Sequence, residues 1–213
     1  MPAVIAPPAP TGMIPAVSAT SAATSGCPQQ WKWTLVEYRK LGETGFFRGL
    51  KTMLIDGELL TMAMPNPPHD TTLTLAANYL RAACPVGYYV RDQQGFDIGT
   101  RTDPGPDLAV VPGSVRDYAA CTPTAAVLII EVADSSLAFD LTTKAELYAT
   151  AGVPDYWVID VEGRCLHVFR DPVTLPAGLG ATAYSVHLTL AATDIVSPLA
   201  APHATVTVAD LLP

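Results

Sequence analysis

The stretch Val127–Ala151 places the strongest constraint on the fold of this chain, because an apolar run is followed there by a helical pattern. The run Val127–Val132 contains mostly branched apolar residues and is typical of a strand buried on both faces. It also contains Glu131, and a buried carboxylate is costly unless a cation or a hydrogen-bond donor pairs with it. The sequence therefore predicts a buried strand whose one acid needs a partner.

The helix predicted after this strand offers such a partner. Asp140, Lys144 and Tyr148 are spaced i, i+4 and i+8, so they share one helix face. Gly152 and Pro154 then follow, which is typical of a helix end. At this point two interpretations of Lys144 are open: a structural ion pair with Glu131, or part of a chemical site.

Composition excludes several classes of protein. A length of 213 residues favours one domain with a sizeable core, and no apolar run approaches the ~20 residues of a membrane span. The net charge of −8 argues against a large non-specific nucleic-acid surface, although a nuclease whose acids hold a metal ion remains compatible with it. The four scattered cysteines form no CxxC pair; their spacing predicts reduced thiols in a cytoplasm and no zinc site.

The chain divides into two parts by composition. Residues 1–31 contain no charged side chain and are rich in Pro, Ala, Ser and Thr, which predicts a disordered tail. Residues 32–213 are predicted to form a single domain. Its elements follow the order helix, hairpin, helix, strands, helix, hairpin, strands, which indicates an α/β or α+β fold with a mixed sheet and helices on its faces.

Turn signals and apolar periodicity place these elements. Thr34 caps the first predicted helix, and Asp56-Gly57 is typical of a hairpin turn. Besides the opening stretch, the predicted helices cover about 34–41 and 69–83, and the predicted strands cover 53–55, 59–62, 88–91, 96–98, 108–111, 155–160, 165–170, 184–190 and 204–208.

A second acid completes a candidate site. Asp107 follows Pro106 and begins the apolar run Leu108–Val111. If this strand neighbours that of Glu131, the two carboxylates meet at one edge of the sheet, where they repel each other and need a cation. Oxygen ligands suit Mg²⁺ or Mn²⁺, and a nearby lysine such as Lys144 can orient a water molecule and offset charge on a phosphate. This combination indicates phosphodiester hydrolysis.

Five segments of the chain carry a family resemblance: Ile55–Leu59, Pro106–Val110, Leu128–Val132, the helix with Asp140, Lys144 and Tyr148, and Gly152–Asp160 (GVPDYWVID). From about Trp33 to Leu212 the chain resembles the Uma-two family, bacterial restriction-endonuclease-like proteins of the PD-(D/E)XK nuclease superfamily. The resemblance implies a mixed central sheet flanked by helices, with added β-hairpins. It also implies a cytoplasmic DNA endonuclease that can act as a homodimer.

The resemblance assigns roles to individual residues. Asp107 and Glu131 match the two metal-binding acids, and Glu58 matches a further acid that completes the metal shell around Mg²⁺ or Mn²⁺. The superfamily's usual lysine position is Ala133 in this chain. Lys144 on the following helix takes that role, so the implied catalytic residues are Asp107, Glu131 and Lys144.

Other interpretations of these residues stay open. Asp107 could be a turn residue, Glu58 an exposed hairpin residue, Tyr148 a core residue, and His69 a surface residue at the start of a helix. Relatives resemble E-V-x-S-P-S after the second acid, whereas this chain has Asp134 in place of the first serine. The alternative function is therefore a catalytically inactive nuclease fold that acts as a binding or regulatory module.

Overall fold

A six-stranded mixed sheet lies at the centre of the computed structural model, which describes residues 28–174 and 182–213. In chain order the strands are β1 (Lys51–Ile55), β2 (Glu58–Met62), β3 (Tyr88–Asp92), β4 (Leu108–Pro112), β5 (Leu128–Ala133), β6 (Asp155–Asp160), β7 (Cys165–Thr174), β8 (Thr182–Ala191), β9 (Ile195–Val196) and β10 (Val206–Thr207). The α-helical segments are α1 (Leu35–Glu43), α2 (Pro67–Ala83), α3 (Leu137–Phe139) and α4 (Ala145–Thr150).

The central sheet has the order β3-β4-β5-β6-β7-β8. Every neighbouring pair is antiparallel except β5 and β6, which are parallel. A parallel pair needs a crossover connection, and the helical segments between β5 and β6 provide it. All residues of β5 and β6 are buried, as the apolar runs in both strands predict.

Two apolar layers cover the sheet. On one side, residues of α2 and of the C-terminal 3₁₀ helix Val208–Leu211 pack against alternate residues of β4 to β7. On the other side, residues of α4 pack against the intervening residues of the same strands. The alternation along β5 is clear, since Leu128, Ile130 and Val132 face the α2 layer whereas Ile129 and Ala133 face the α4 layer. Glu131 therefore faces the layer that contains α4.

Local sequence signals explain the outer elements. Thr34 caps α1 with a full capping box, in which its hydroxyl accepts from the Glu37 amide and the Glu37 carboxylate accepts from the Thr34 amide. Asp56 and Gly57 both have positive φ, as the tight turn of the β1–β2 hairpin requires. α2 begins at Pro67, two residues before the predicted start, with Asn66 as its cap.

The predicted mixed sheet flanked by helices is confirmed, with two local corrections. Residues 96–98 do not form a strand; Ile98 makes only an isolated bridge to Thr102. The last predicted strand, 204–208, is reduced to the two residues of β10 before a 3₁₀ helix begins. The predicted tail lies almost entirely outside the described residues. Within the described ranges, no helix has the length and apolar character needed to cross a bilayer.

Candidate active site

A pocket of about 520 Å³ lies beside the start of β4 and the end of β5. Apolar side chains from β1 and β2 form part of its wall. Its polar and charged lining comes from six separate parts of the chain and comprises Lys51, Thr61, Asn66, His69, Asp107, Glu131, Asp134, Ser135, Ser136 and Lys144. The pocket therefore contains the three residues that the sequence singles out as catalytic.

Strand pairing brings the two predicted acids together. β4 and β5 are antiparallel neighbours with Leu108 opposite Ile130, so the next position along the ladder places Asp107 beside Glu131. The Asp107 Oδ2 atom accepts a hydrogen bond from the Val132 amide at 3.0 Å, which fixes the carboxylate against β5. Asp107 itself is buried.

Glu131 receives two partners from the helix that covers its face of the sheet. Lys144 Nζ lies 2.8 Å from Glu131 Oε2, and the Tyr148 hydroxyl donates to Glu131 Oε1 at 2.6 Å. The three side chains are nearly inaccessible, with Glu131 and Lys144 each 1 % exposed. The cost of burying the carboxylate is thus offset by a cation and a hydrogen bond.

A π-helical turn, Asp140–Lys144, joins α3 to α4 and carries the lysine. Lys144 Nζ also lies 3.2 Å from Asp140 Oδ1, and the Ser136 hydroxyl donates to Asp140 Oδ2. Short π-helical turns within α-helices occur frequently at functional sites. Here the turn belongs to the element that presents Lys144 to the two acids.

Two basic side chains that line the pocket also contact Asp107. His69 Nε2 lies 3.4 Å from Asp107 Oδ2, and Lys51 Nζ lies 3.3 Å from Asp107 Oδ1. His69 is only 8 % exposed, so its interpretation as a surface residue is wrong. Sequence reasoning missed Lys51 altogether, because a single lysine before an apolar strand carries no spacing signal.

Neighbouring groups shift the pKa values of Glu131 and Asp107 in opposite directions. Burial raises the pKa of Glu131 to about 8, even though the charge of Lys144 opposes this change. Burial would also raise the pKa of Asp107, but the hydrogen bond from His69 and the charges of Lys51 and Lys144 outweigh it and hold that pKa well below its usual range. Paired acids with opposite pKa shifts are a frequent feature of catalytic sites.

Lys144 stays positively charged in this setting. Burial alone would lower the pKa of its amine, but the adjacent carboxylates of Glu131, Asp140 and Asp107 raise it above its ordinary value. A permanently charged ammonium group stabilises negative charge and positions an oxygen ligand. It does not accept a proton, so Lys144 is suited to an electrostatic role.

The structure does not bring Glu58 to this pocket. Its carboxylate lies on the β1–β2 hairpin, where Glu58 Oε1 accepts from Lys32 Nζ at 2.8 Å. Asp56, at the turn of the hairpin, contacts the same lysine amine at 3.2 Å. Of the four residues that the sequence nominates, Asp107, Glu131 and Lys144 share the pocket and Glu58 lies outside it.

Comparison with known proteins gives the family of this chain. Residues 35–208 match the Uma2 family, described as "Putative restriction endonuclease". The chain belongs to the Uma2 family. A similar solved structure is described as a "putative nuclease belonging to DUF820 from Anabaena variabilis ATCC 29413", with 19% sequence identity and a TM-score of 0.65. That match covers 84% of this chain and 97% of the other, and it shows that the two proteins share a fold. No curated protein matches this Uma2 chain.

The donor set of the pocket suits a hard divalent cation. Two carboxylates from adjacent strands line the open space, and Mg²⁺ and Mn²⁺ prefer oxygen ligands. Asp107 stays ionised there despite its burial, because the hydrogen bond from His69 and the charges of Lys51 and Lys144 hold its pKa below the usual range, so it offers an anionic oxygen ligand. In this Uma2 chain the residues present therefore fit a divalent metal ion bound between Asp107 and Glu131.

Proposed function

We propose that residues 32–213 form a metal-dependent endonuclease domain that hydrolyses phosphodiester bonds in DNA. The observation that carries this proposal is the convergence of Asp107, Glu131 and Lys144 on one open pocket. Membership of the Uma2 family and the nuclease-like fold support the reaction class. The choice of DNA follows from the relationship to restriction endonucleases.

In this proposal, Asp107 and Glu131 hold Mg²⁺ or Mn²⁺. Such an ion, when bound there, would supply Lewis-acid chemistry towards a water molecule and the scissile phosphate. Lys144 keeps its charge and stabilises the negative charge that develops on the phosphate oxygens. Tyr148 holds the Glu131 carboxylate in place through its hydroxyl.

The other cations of the pocket contribute to substrate binding. Lys51 and His69 line the pocket next to Asp107. The positive charge of Lys51 attracts a DNA phosphate despite the acidic net charge of the chain, and the hydrogen bond to Asp107 raises the pKa of His69, which favours its charged form. Lys51 has about a quarter of its side chain exposed, so its amine is accessible to a ligand. These two residues thus provide the electrostatic contact between the pocket and the DNA backbone.

Plasmid cleavage tests the proposal. Supercoiled DNA is incubated with the protein and Mg²⁺ or Mn²⁺, and nicked and linear products are separated on a gel, with EDTA as the metal-free control. We expect the isosteric variants Asp107→Asn and Glu131→Gln to lose roughly 100-fold or more of the cleavage rate, because each removes a charged metal ligand. Glu58→Gln is the matched control, and its rate should equal that of the wild type.

Two outcomes would overturn the proposal. Cleavage retained by a folded Glu131→Gln variant would show that the reaction does not occur in this pocket. Absence of cleavage by the wild type, together with absence of Mn²⁺ binding in calorimetry, would favour the inactive binding module. Linear product formed without a nicked intermediate would indicate cutting of both strands by a dimer.

A further inference from the structure

A second cluster of metal-ligating side chains lies at the start of the β6–β7 hairpin, outside the pocket described above. Single ligand atoms of Asp160, Cys165 and His167 all lie within 4.8 Å of one another. Cys165 Sγ lies 3.8 Å from Asp160 Oδ2 and 3.7 Å from His167 Nε2. Asp160 is buried, whereas Cys165 and His167 are partly exposed, so solvent reaches the cluster from one side.

Strand register creates this cluster. Asp160, the last residue of β6, lies directly opposite Cys165, the first residue of β7. His167 is two residues further along β7 and therefore points to the same side of the sheet as Cys165. The cysteine spacing of the sequence does not reveal the arrangement, because the ligands come from two strands and only one of them is a cysteine.

Hydrogen bonds from neighbouring groups fix the orientation of the Asp160 and His167 side chains. The Gly163 amide donates to Asp160 Oδ1 at 2.7 Å, which leaves Oδ2 turned towards the cysteine. His167 Nδ1 lies 3.2 Å from Thr189 Oγ1 and 3.3 Å from His187 Nε2, which leaves Nε2 turned towards Cys165. Metal-binding histidines usually make such a hydrogen bond through the ring nitrogen that does not bind the metal.

The glycine at position 163 is required by this geometry. A Cβ atom there would lie 2.2 Å from Asp160 Oδ2, so any other residue would displace the carboxylate oxygen that faces Cys165. The hairpin turn therefore leaves room for the acid in the orientation that the cluster needs.

We propose that Asp160, Cys165 and His167 bind one divalent ion of the zinc class, with solvent as the fourth ligand. Zinc bonds of about 2.3 Å to sulfur and about 2.0–2.2 Å to nitrogen or oxygen, at tetrahedral angles, place the ligand atoms about 3.5 Å apart. The sulfur-to-nitrogen and sulfur-to-oxygen separations of 3.7 and 3.8 Å need only a small adjustment. Coordination forms the metal–sulfur bond and releases the thiol proton to solvent.

The ligand chemistry separates this ion from that of the nuclease pocket. A thiolate and an imidazole select Zn²⁺ or Co²⁺, whereas the carboxylates of Asp107 and Glu131 suit Mg²⁺ or Mn²⁺. None of the three ligands lines the pocket around Glu131. The zinc-class site would fasten β6 to β7 at the hairpin, and its solvent-facing position is open to a fourth ligand.

Titration of the purified full-length chain with Co²⁺ tests the proposal. Cobalt bound to a thiolate gives a charge-transfer absorption band in the near ultraviolet that oxygen-only sites lack. We expect this band to saturate at one equivalent of Co²⁺ and to disappear on addition of Zn²⁺. It should be absent from Cys165→Ser, retained by Cys121→Ser, the matched control at an exposed cysteine, and retained by Glu131→Gln.

A variant that weakens metal binding without removing a ligand distinguishes a three-ligand metal site from a single reactive thiol. His187→Ala removes a partner of His167 without removing a ligand, so we expect the Co²⁺ dissociation constant to rise about 10–100-fold. A thiolate band that persists in Cys165→Ser, or an affinity unaffected by both His167→Ala and His187→Ala, would overturn the proposal. The absence of a thiolate band in the folded wild-type chain would do so too.

Discussion

Replacing Lys144 with methionine should destabilise the fold strongly in the absence of metal. Methionine keeps most of the side-chain volume but removes the ammonium group that lies 2.8 Å from Glu131 Oε2 and 3.2 Å from Asp140 Oδ1. All three side chains are almost fully buried. Removing one partner of a buried ion pair leaves an uncompensated charge and costs about 3–5 kcal/mol.

The measurement is the free energy of unfolding from urea denaturation in EDTA, monitored by circular dichroism. Lys40→Met on the exposed surface of α1 is the matched control and should change stability by less than about 1 kcal/mol. The double variant Lys144→Met/Glu131→Gln should recover part of the loss, because the second substitution removes a buried charge that no longer has a partner.

The cost of Lys144→Met should also depend on pH. Burial raises the pKa of Glu131 from 4.5 to about 8 in the wild type, and loss of the lysine charge raises it further. A carboxyl group with a raised pKa in the folded state stabilises the fold while it is protonated, and this stability is lost as pH rises from 4.5 through the folded-state pKa. The destabilisation should therefore be smallest near pH 5 and largest above pH 8.

The reasoning fails if the free energy of unfolding of Lys144→Met lies within about 1 kcal/mol of the wild-type value at a pH well above 8, where the wild-type Glu131 carboxyl group is ionised. It also fails if the double variant is less stable than the single variant. Either result would mean that Lys144 is not the counterion of the buried acids. The expected loss has a practical consequence, since Lys144→Ala would lose stability as well as activity and would be a poor test of catalysis.

Two further predictions concern buried acids. Tyr148→Phe removes the hydroxyl that donates to Glu131 Oε1 at 2.6 Å and should cost about 1–3 kcal/mol in urea denaturation; an unchanged stability would show that Glu131 does not need this donor. Asp155→Asn removes a buried charge that accepts from Trp157 Nε1 at 2.8 Å and from Arg170 Nε at 2.9 Å, and should cost about 3 kcal/mol or more by the same assay. A loss below 1 kcal/mol would contradict the structural role of Asp155.

Local patterns made much of the fold predictable. The apolar runs of β5 and β6, the turn at Asp56-Gly57 and the Thr34 cap each depend on neighbouring residues only, and each is present in the structure. The predicted strand at 96–98 is wrong because a local apolar pattern does not tell a strand from a buried loop. Phe96 is fully buried in the core without belonging to the sheet.

The candidate site was predictable where one strand and the next helix carry it. Glu131 and Lys144 stand out because a charge in an apolar strand and a charge on a helix stripe are both visible in a single sequence. Lys51 and His69 were not visible, because they reach Asp107 only when the first hairpin and the start of α2 pack beside β4. Glu58 shows the converse case, since it begins β2 directly after the hairpin turn and its carboxylate contacts Lys32 there.

The π-helical turn makes the chain between Ser136 and Ala145 intolerant of changes in length. Each helical residue turns the chain by about 100°, so deletion of one residue within Asp140–Lys144 would rotate the preceding segment by that angle relative to α4. Asp140 would then leave Lys144, and Ser136, whose hydroxyl donates to Asp140, would move with it. Substitutions on the exposed side of this turn should be accepted, whereas insertions and deletions should be selected against, which marks Asp140–Lys144 as a segment of fixed length in functional relatives.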